Sequence, residues 1–176
     1  MRRLIAGVLT LCVIAAVAVV QSTSPSRDSQ QPEPAWRAFE GSWSASGRIQ
    51  TLPTERPQTA AIAQLSGALS LVAGDGLSRG FRAEAVGYDD GGGVLTGRAV
   101  WTDERGNQIF STLRGETLAT KRHVTGAITG GTGRYAGITG DYEFEWQYII
   151  AGDDRTIQGR TVSLRGRVRT GGGSAK

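Results

Sequence analysis

Beyond residue 36, apolar and small side chains recur at every second position in a succession of short segments. Trp43, Ala45, Gly47 and Ile49 share one face of the first, which ends near Pro53. Ile62–Val72 gives a second, with Leu65, Gly67, Leu69 and Leu71 aligned; Phe81, Ala83, Ala85 and Gly87 mark a third; Leu95, Gly97, Ala99 and Trp101 mark a fourth. In Gln108–Glu116, Ile109, Ser111, Leu113 and Gly115 alternate with Phe110, Thr112 and Arg114, and His123–Thr129, Ile138–Ile150 and Arg155–Thr170 complete the series. A period of two belongs to a strand with one buried face. Turn signals such as Asp89-Asp90-Gly91-Gly92-Gly93 and Asp103-Glu104-Arg105-Gly106-Asn107 separate the segments. No helical period longer than two turns occurs after residue 36. The pattern predicts an all-β fold, an eight-stranded antiparallel up-and-down β-barrel, because closure removes exposed sheet edges.

The last hairpin can be given a register. With a turn at Ala151–Asp154, Tyr142 faces Leu164, Phe144 faces Val162 and Tyr148 faces Gln158, while Asp141 meets Arg165. Apolar then meets apolar, as cross-strand pairing requires.

The N-terminus has a different pattern. Arg2 and Arg3 precede the uncharged 17-residue run Leu4–Val20, the layout of a secretory signal, with Ala16-Val17-Ala18 as an A-x-A cleavage site. The run also reaches the lower limit for a membrane span. Residues 1–22 are therefore read as a signal peptide or an N-terminal anchor. The expected location is secreted or periplasmic, or else membrane-anchored through residues 4–20 with the domain outside the cytoplasm. Membrane contact is expected only through that segment, if it stays uncleaved. Residues 23–38, rich in Ser, Gln and Pro, read as a disordered linker, 39–170 as the barrel domain, and 171–176 as a flexible tail.

Composition narrows the chemistry. Twenty-six glycines, spread without a repeat, suit strands that bend and turn often. The net charge of +4 falls to +2 without Arg2 and Arg3 (18 basic against 16 acidic), and the remaining charges alternate in sign. Nucleic-acid binding, which needs a concentrated basic face, is not expected. The single cysteine, Cys12, lies in the apolar run, so the domain has neither a disulfide nor a thiolate metal site. The single histidine, His123, beside Lys121 and Arg122, reads as a solvated turn residue, and one histidine cannot make a three-histidine zinc centre. No catalytic residue, cofactor or metal is expected.

The string Gly130-Gly131-Thr132-Gly133-Arg134-Tyr135-Ala136-Gly137 suggests a phosphate-binding loop, but it lacks the Lys-Ser/Thr ending and the G-x-G-x-x-G spacing. The residues after Gly137 alternate as a strand, whereas a phosphate loop opens a helix. The glycines are better read as permitting positive φ in a reversal that feeds the aromatic strand. Together with W-T-D-x-x-G-N-x-I-F at Trp101–Phe110, the segment I-T-G-G-T-G-R-Y-A-G-I-T-G at Ile128–Gly140 resembles the allene oxide cyclase and dirigent barrel-like superfamily, particularly its bacterial members. That resemblance, over roughly residues 40–170, implies a barrel with a central cavity. Such cavities serve either to cyclise a fatty-acid epoxide or to steer coupling of phenolic radicals, often in dimers or trimers. Neither the cyclase's polar set nor the dirigent Asp/Tyr/Arg set falls residue by residue on this chain, so neither activity carries over. Gly41-Ser42-Trp43 also resembles the G-x-W that opens lipocalin barrels.

The candidate site is built on the aromatic strand. Ala45, Gly47, Ala83, Ala85, Gly97 and Ala99 are small inward positions, which suggests space opposite Tyr142, Phe144, Trp146 and Tyr148. The expected ligand-binding residues are Trp101, Tyr142, Phe144, Trp146 and Tyr148, with the two tyrosine hydroxyls orienting an apolar guest. Glu143 and Glu145 alternate with these aromatics and should face solvent; so should Arg165, Arg167 and Arg169, with Val162, Leu164 and Val168 on the other face. The leading expectation is a non-catalytic exported barrel that binds a small apolar or phenolic molecule, with homo-oligomers possible. One alternative is an isomerase or cyclase using Glu143 or Glu145 with a tyrosine. The other is an oligomerising or envelope-docking module.

Overall fold

The computed structural model describes residues 35–55, 58–118 and 121–170. The signal or anchor segment, the linker as far as residue 34 and the tail lie outside the described residues. Eight strands succeed one another in chain order: β1 Arg37–Pro53, β2 Thr59–Ala73, β3 Gly80–Asp89, β4 Val94–Thr102, β5 Gln108–Leu118, β6 Lys121–Gly131, β7 Ile138–Ala151 and β8 Thr156–Thr170. Each pairs antiparallel with the next, and β8 pairs back onto β1, closing an up-and-down barrel. β1 begins at Arg37, two residues before the expected boundary at 39.

The two ends of the barrel differ because the chain visits them differently. The β2–β3, β4–β5 and β6–β7 connections share one end, here the base, and the other four hairpin turns surround the mouth. The largest fully buried side chains are Phe39, Leu69, Ile109, Tyr135, Ile138 and Val168. All of them sit in strand ends or a loop at the base. Exposed large hydrophobics occur at both ends, Trp36 and Val72 near the base and Leu52, Ile62, Tyr88, Val94, Tyr148, Ile149 and Ile150 near the mouth.

Two expectations are corrected. The β7–β8 register pairs Tyr142 with Gly166, Trp146 with Thr161 and Tyr148 with Gly159, with irregularities at Glu143/Glu145 and Tyr148/Ile150. Ser163 takes a positive φ of 56° beside the first of these. A bulge adds a residue to one strand and reverses its in–out alternation. Thr161 is consequently buried and Val162 exposed, while Leu164 and Val168 stay inside. His123 also lies within β6 rather than in a turn: it pairs with Glu145 in register, and its Nε2 is 3.8 Å from Glu143 Oε2.

Candidate functional site

The inner face of β7 organises the interior. Trp101 packs against Phe39 and Phe81, each with ring centroids 5.9 Å away, and against Tyr142 at 5.0 Å. Tyr142 stacks on Phe144 at 6.3 Å and 12°, Phe144 meets Trp43 edge-on at 6.5 Å, and Trp43 leans on Trp146 at 5.4 Å. Trp146 meets Tyr148 perpendicularly at 6.1 Å. The five residues expected from sequence thus form one aromatic column from base to mouth, completed by Trp43. Tyr142 fits because β6 and β8 present glycines beside it; a Cβ at Gly126 or Gly166 would overlap its side chain.

The column fills the space that the small residues were expected to leave. Between Trp43, Ala83, Ala99, Trp101, Tyr142 and Phe144 about 20 Å³ is empty, against roughly 300–1,000 Å³ for an ordinary small-molecule pocket. The small residues of β3 and β4 are complements to large rings, which a strand-by-strand reading of one face does not show. Nor do the two tyrosines share a role. Tyr142 is inside, its hydroxyl 2.7 Å from Ser111 Oγ, and burial pushes its phenol up to about 12 despite that hydrogen bond. Tyr148 is 46% exposed and stands at the rim.

The larger of the two inner spaces is towards the mouth. It measures about 60 Å³, also well below the ordinary pocket range, and is walled by Leu65, Leu95, Leu113, Val124, Phe144 and Trp146, with Tyr148 at its edge. Its one charged wall residue is Arg122. Arg122 shares the inward parity of buried Val124 and Ile128, and its guanidinium Nη2 donates to Asp89 Oδ2. β6 and β3 are separated by β4 and β5, so an ion pair between them reaches across the mouth. Both partners are largely shielded, with side chains 21% and 13% exposed. Sequence patterning does not single out this pair, since it assigns Arg122 to a turn and Asp89 to a turn motif. The available signal is parity: Arg122 continues the inward series of Val124, Gly126 and Ile128.

The motifs that carry the family resemblance are at the base and hold it shut. The Asp103 carboxylate is shielded completely and accepts from the Arg105 and Asn107 amides at 2.9 Å and from Arg134 Nε at 3.0 Å. Burial alone would raise its pKa; the hydrogen bonds from Asn107 and Arg105 and the charge of Arg134 outweigh it and hold the carboxyl below the usual carboxylate range. Arg134 also donates to the Tyr135 hydroxyl at 2.6 Å, and that oxygen accepts from the Ser78 amide at 3.2 Å. Gly133 (φ 54°) and Gly137 (φ 72°) bracket the one-turn 3-10 helix Gly133–Tyr135 that drives Tyr135 into the core. The glycine-rich reversal is thus a plug rather than a ligand loop.

Glu143 and Glu145 lie on the outer face, alternating with buried Tyr142, Phe144 and Trp146. Glu143 Oε1 takes two bonds from Arg165, at 2.6 and 2.7 Å. An acid–base role for these carboxylates inside the barrel is therefore excluded. Among the described residues no group of three or more His, Cys, Asp or Glu could hold a metal ion.

No protein-family model matches the chain. No curated protein matches it either. Among solved structures it is similar to a pterocarpan synthase dirigent protein, with 12% identity and a TM-score of 0.47, over 88% of this chain and 99% of that one. The closed barrel is established by the strand pairing itself.

Proposed function

We propose that this protein is an exported, non-catalytic barrel that takes a small apolar or aromatic molecule at its mouth. The observation that carries this reading is the one-ended construction: a base sealed by packed rings and a polar network, and an apolar, aromatic-edged mouth that is open. A filled core gives stability without needing an opening, so the unfilled end is the part of the interior left for a guest. Export in this reading is the task of residues 1–22.

Ala63 lies in the mouth wall on β2 and is not itself a member of the aromatic column, so Ala63→Trp should fill the site while leaving every column residue in the chain. In calorimetric titrations with 2-naphthylmethanol, the native protein is expected to bind, and Ala63→Trp to weaken binding by at least about tenfold, some 1.4 kcal/mol. Absence of binding by the native protein to both this alcohol and its carboxylate analogue 2-naphthoate, or equal binding by the folded variant, overturns the reading.

A further inference from the structure

The mouth would be most cheaply lined by apolar side chains alone, yet an ion pair is built across it. Withdrawing two charges from water carries a penalty that their attraction does not reliably recover, so a shielded pair is weak evidence of a stabilising role. Its placement is specific. Asp89 Oδ1 is fixed by the Gly91 amide at 2.9 Å, which leaves Oδ2 for Arg122. On the other side, Asp89 accounts for one hydrogen bond of Arg122, whose planar guanidinium carries five N–H donors arranged to grip a carboxylate in bidentate fashion. Trp146 lies directly opposite Arg122 in the β6–β7 register and forms part of the same cavity wall. A cation therefore stands at the rim of an aromatic pocket, held by a carboxylate of the protein's own chain.

We infer that the guest is a compact aromatic or apolar carboxylate, and that Arg122 is the specificity-determining residue that receives its anionic head. This inference rests on the mouth being the binding site. The Asp89 carboxylate occupies the position on Arg122 that the ligand's carboxylate would take, so binding exchanges one anion for another around the same guanidinium. The apolar body then enters the space between Leu95, Leu113, Val124 and Trp146. The cavity is small, about 60 Å³, so the guest that fits is a compact one. A neutral guest of the same shape would have to break the pair, or squeeze beside it, with no charge to offer in return. Discrimination arises because a buried charged donor left without its partner is strongly penalised.

The test compares two probes with one aromatic body, 2-naphthoate and 2-naphthylmethanol, titrated calorimetrically into the full chain. Naphthoate is expected to bind the native protein at least about tenfold more tightly, a difference of some 1.4 kcal/mol. Arg122→Leu should remove that preference while keeping affinity for the alcohol. Asp89→Asn should strengthen naphthoate binding, because the internal competitor is neutralised. If the native protein binds both probes equally, or prefers the alcohol, the anion inference is overturned and the apolar-binding reading survives. If neither probe binds, both fall. The comparison of probes on the native protein requires no variant, so a failure of Arg122→Leu to fold does not shield the inference.

Discussion

Replacing Trp101 by alanine is expected to lower stability by about 3–5 kcal/mol, the usual cost of deleting a buried aromatic ring. Trp101 is 4% exposed and touches Phe39, Phe81 and Tyr142, so its removal opens a void where three other rings converge. Those neighbours cannot collapse into it freely. Tyr142 is held at Ser111 by its hydroxyl, and Phe39 is wedged against Gly166. Against a total folding free energy of roughly 5–15 kcal/mol, urea unfolding should show a large fall in midpoint. A loss under about 1 kcal/mol would mean slack in the interior, contrary to a packed aromatic column.

Asp103→Ala is the second severe change, with an expected loss of about 2–4 kcal/mol. It leaves the Arg105 and Asn107 amides and the Arg134 guanidinium without the carboxylate on which all three converge. Asp103→Asn keeps the shape but not the charge, and should cost less. The same site predicts a pH dependence. Because hydrogen bonds and Arg134 outweigh burial and lower its folded pKa below the unfolded value, Asp103 contributes stability that is fully present above about pH 4. That contribution is lost as pH falls through the lower folded value. Acid unfolding of the native protein should therefore be steeper than that of Asp103→Ala, which has already lost the contribution. Superimposable acid profiles for the two would contradict this role.

Much of this architecture is legible in the chain because a period of two reports a strand's buried face directly. Alternation marks Phe81, Ala83 and Ala85, and likewise Ala99 and Trp101, as inward, and they are buried. It also places Glu143 and Glu145 outside. What alternation cannot report is a change in its own phase. The bulge at Ser163 shifts the β7–β8 register and puts Val162 outside, whereas Tyr148 keeps the inward parity and is at the rim because β7 ends at the mouth a few residues on. Volume is illegible for a different reason. Ala83 and Ala99 read as room for a guest until the rings of Trp101, Tyr142 and Trp43, from three different strands, are seen to occupy it. Arg122 and Asp89 escape the pattern because charged residues near turns are ordinarily solvated. Only closure of the sheet brings β3 and β6 face to face across the mouth.

The central claim is that the free interior of this barrel lies at its mouth and takes a guest there. Protein-detected NMR during titration with 2-naphthoate tests it most directly. Resonances of Leu95, Leu113, Arg122, Val124 and Trp146 are expected to shift together and to saturate, while those of Tyr135, Ile138 and Val168 at the base stay in place. Saturable shifts confined to the base or to the outer face, or none at all, would contradict it.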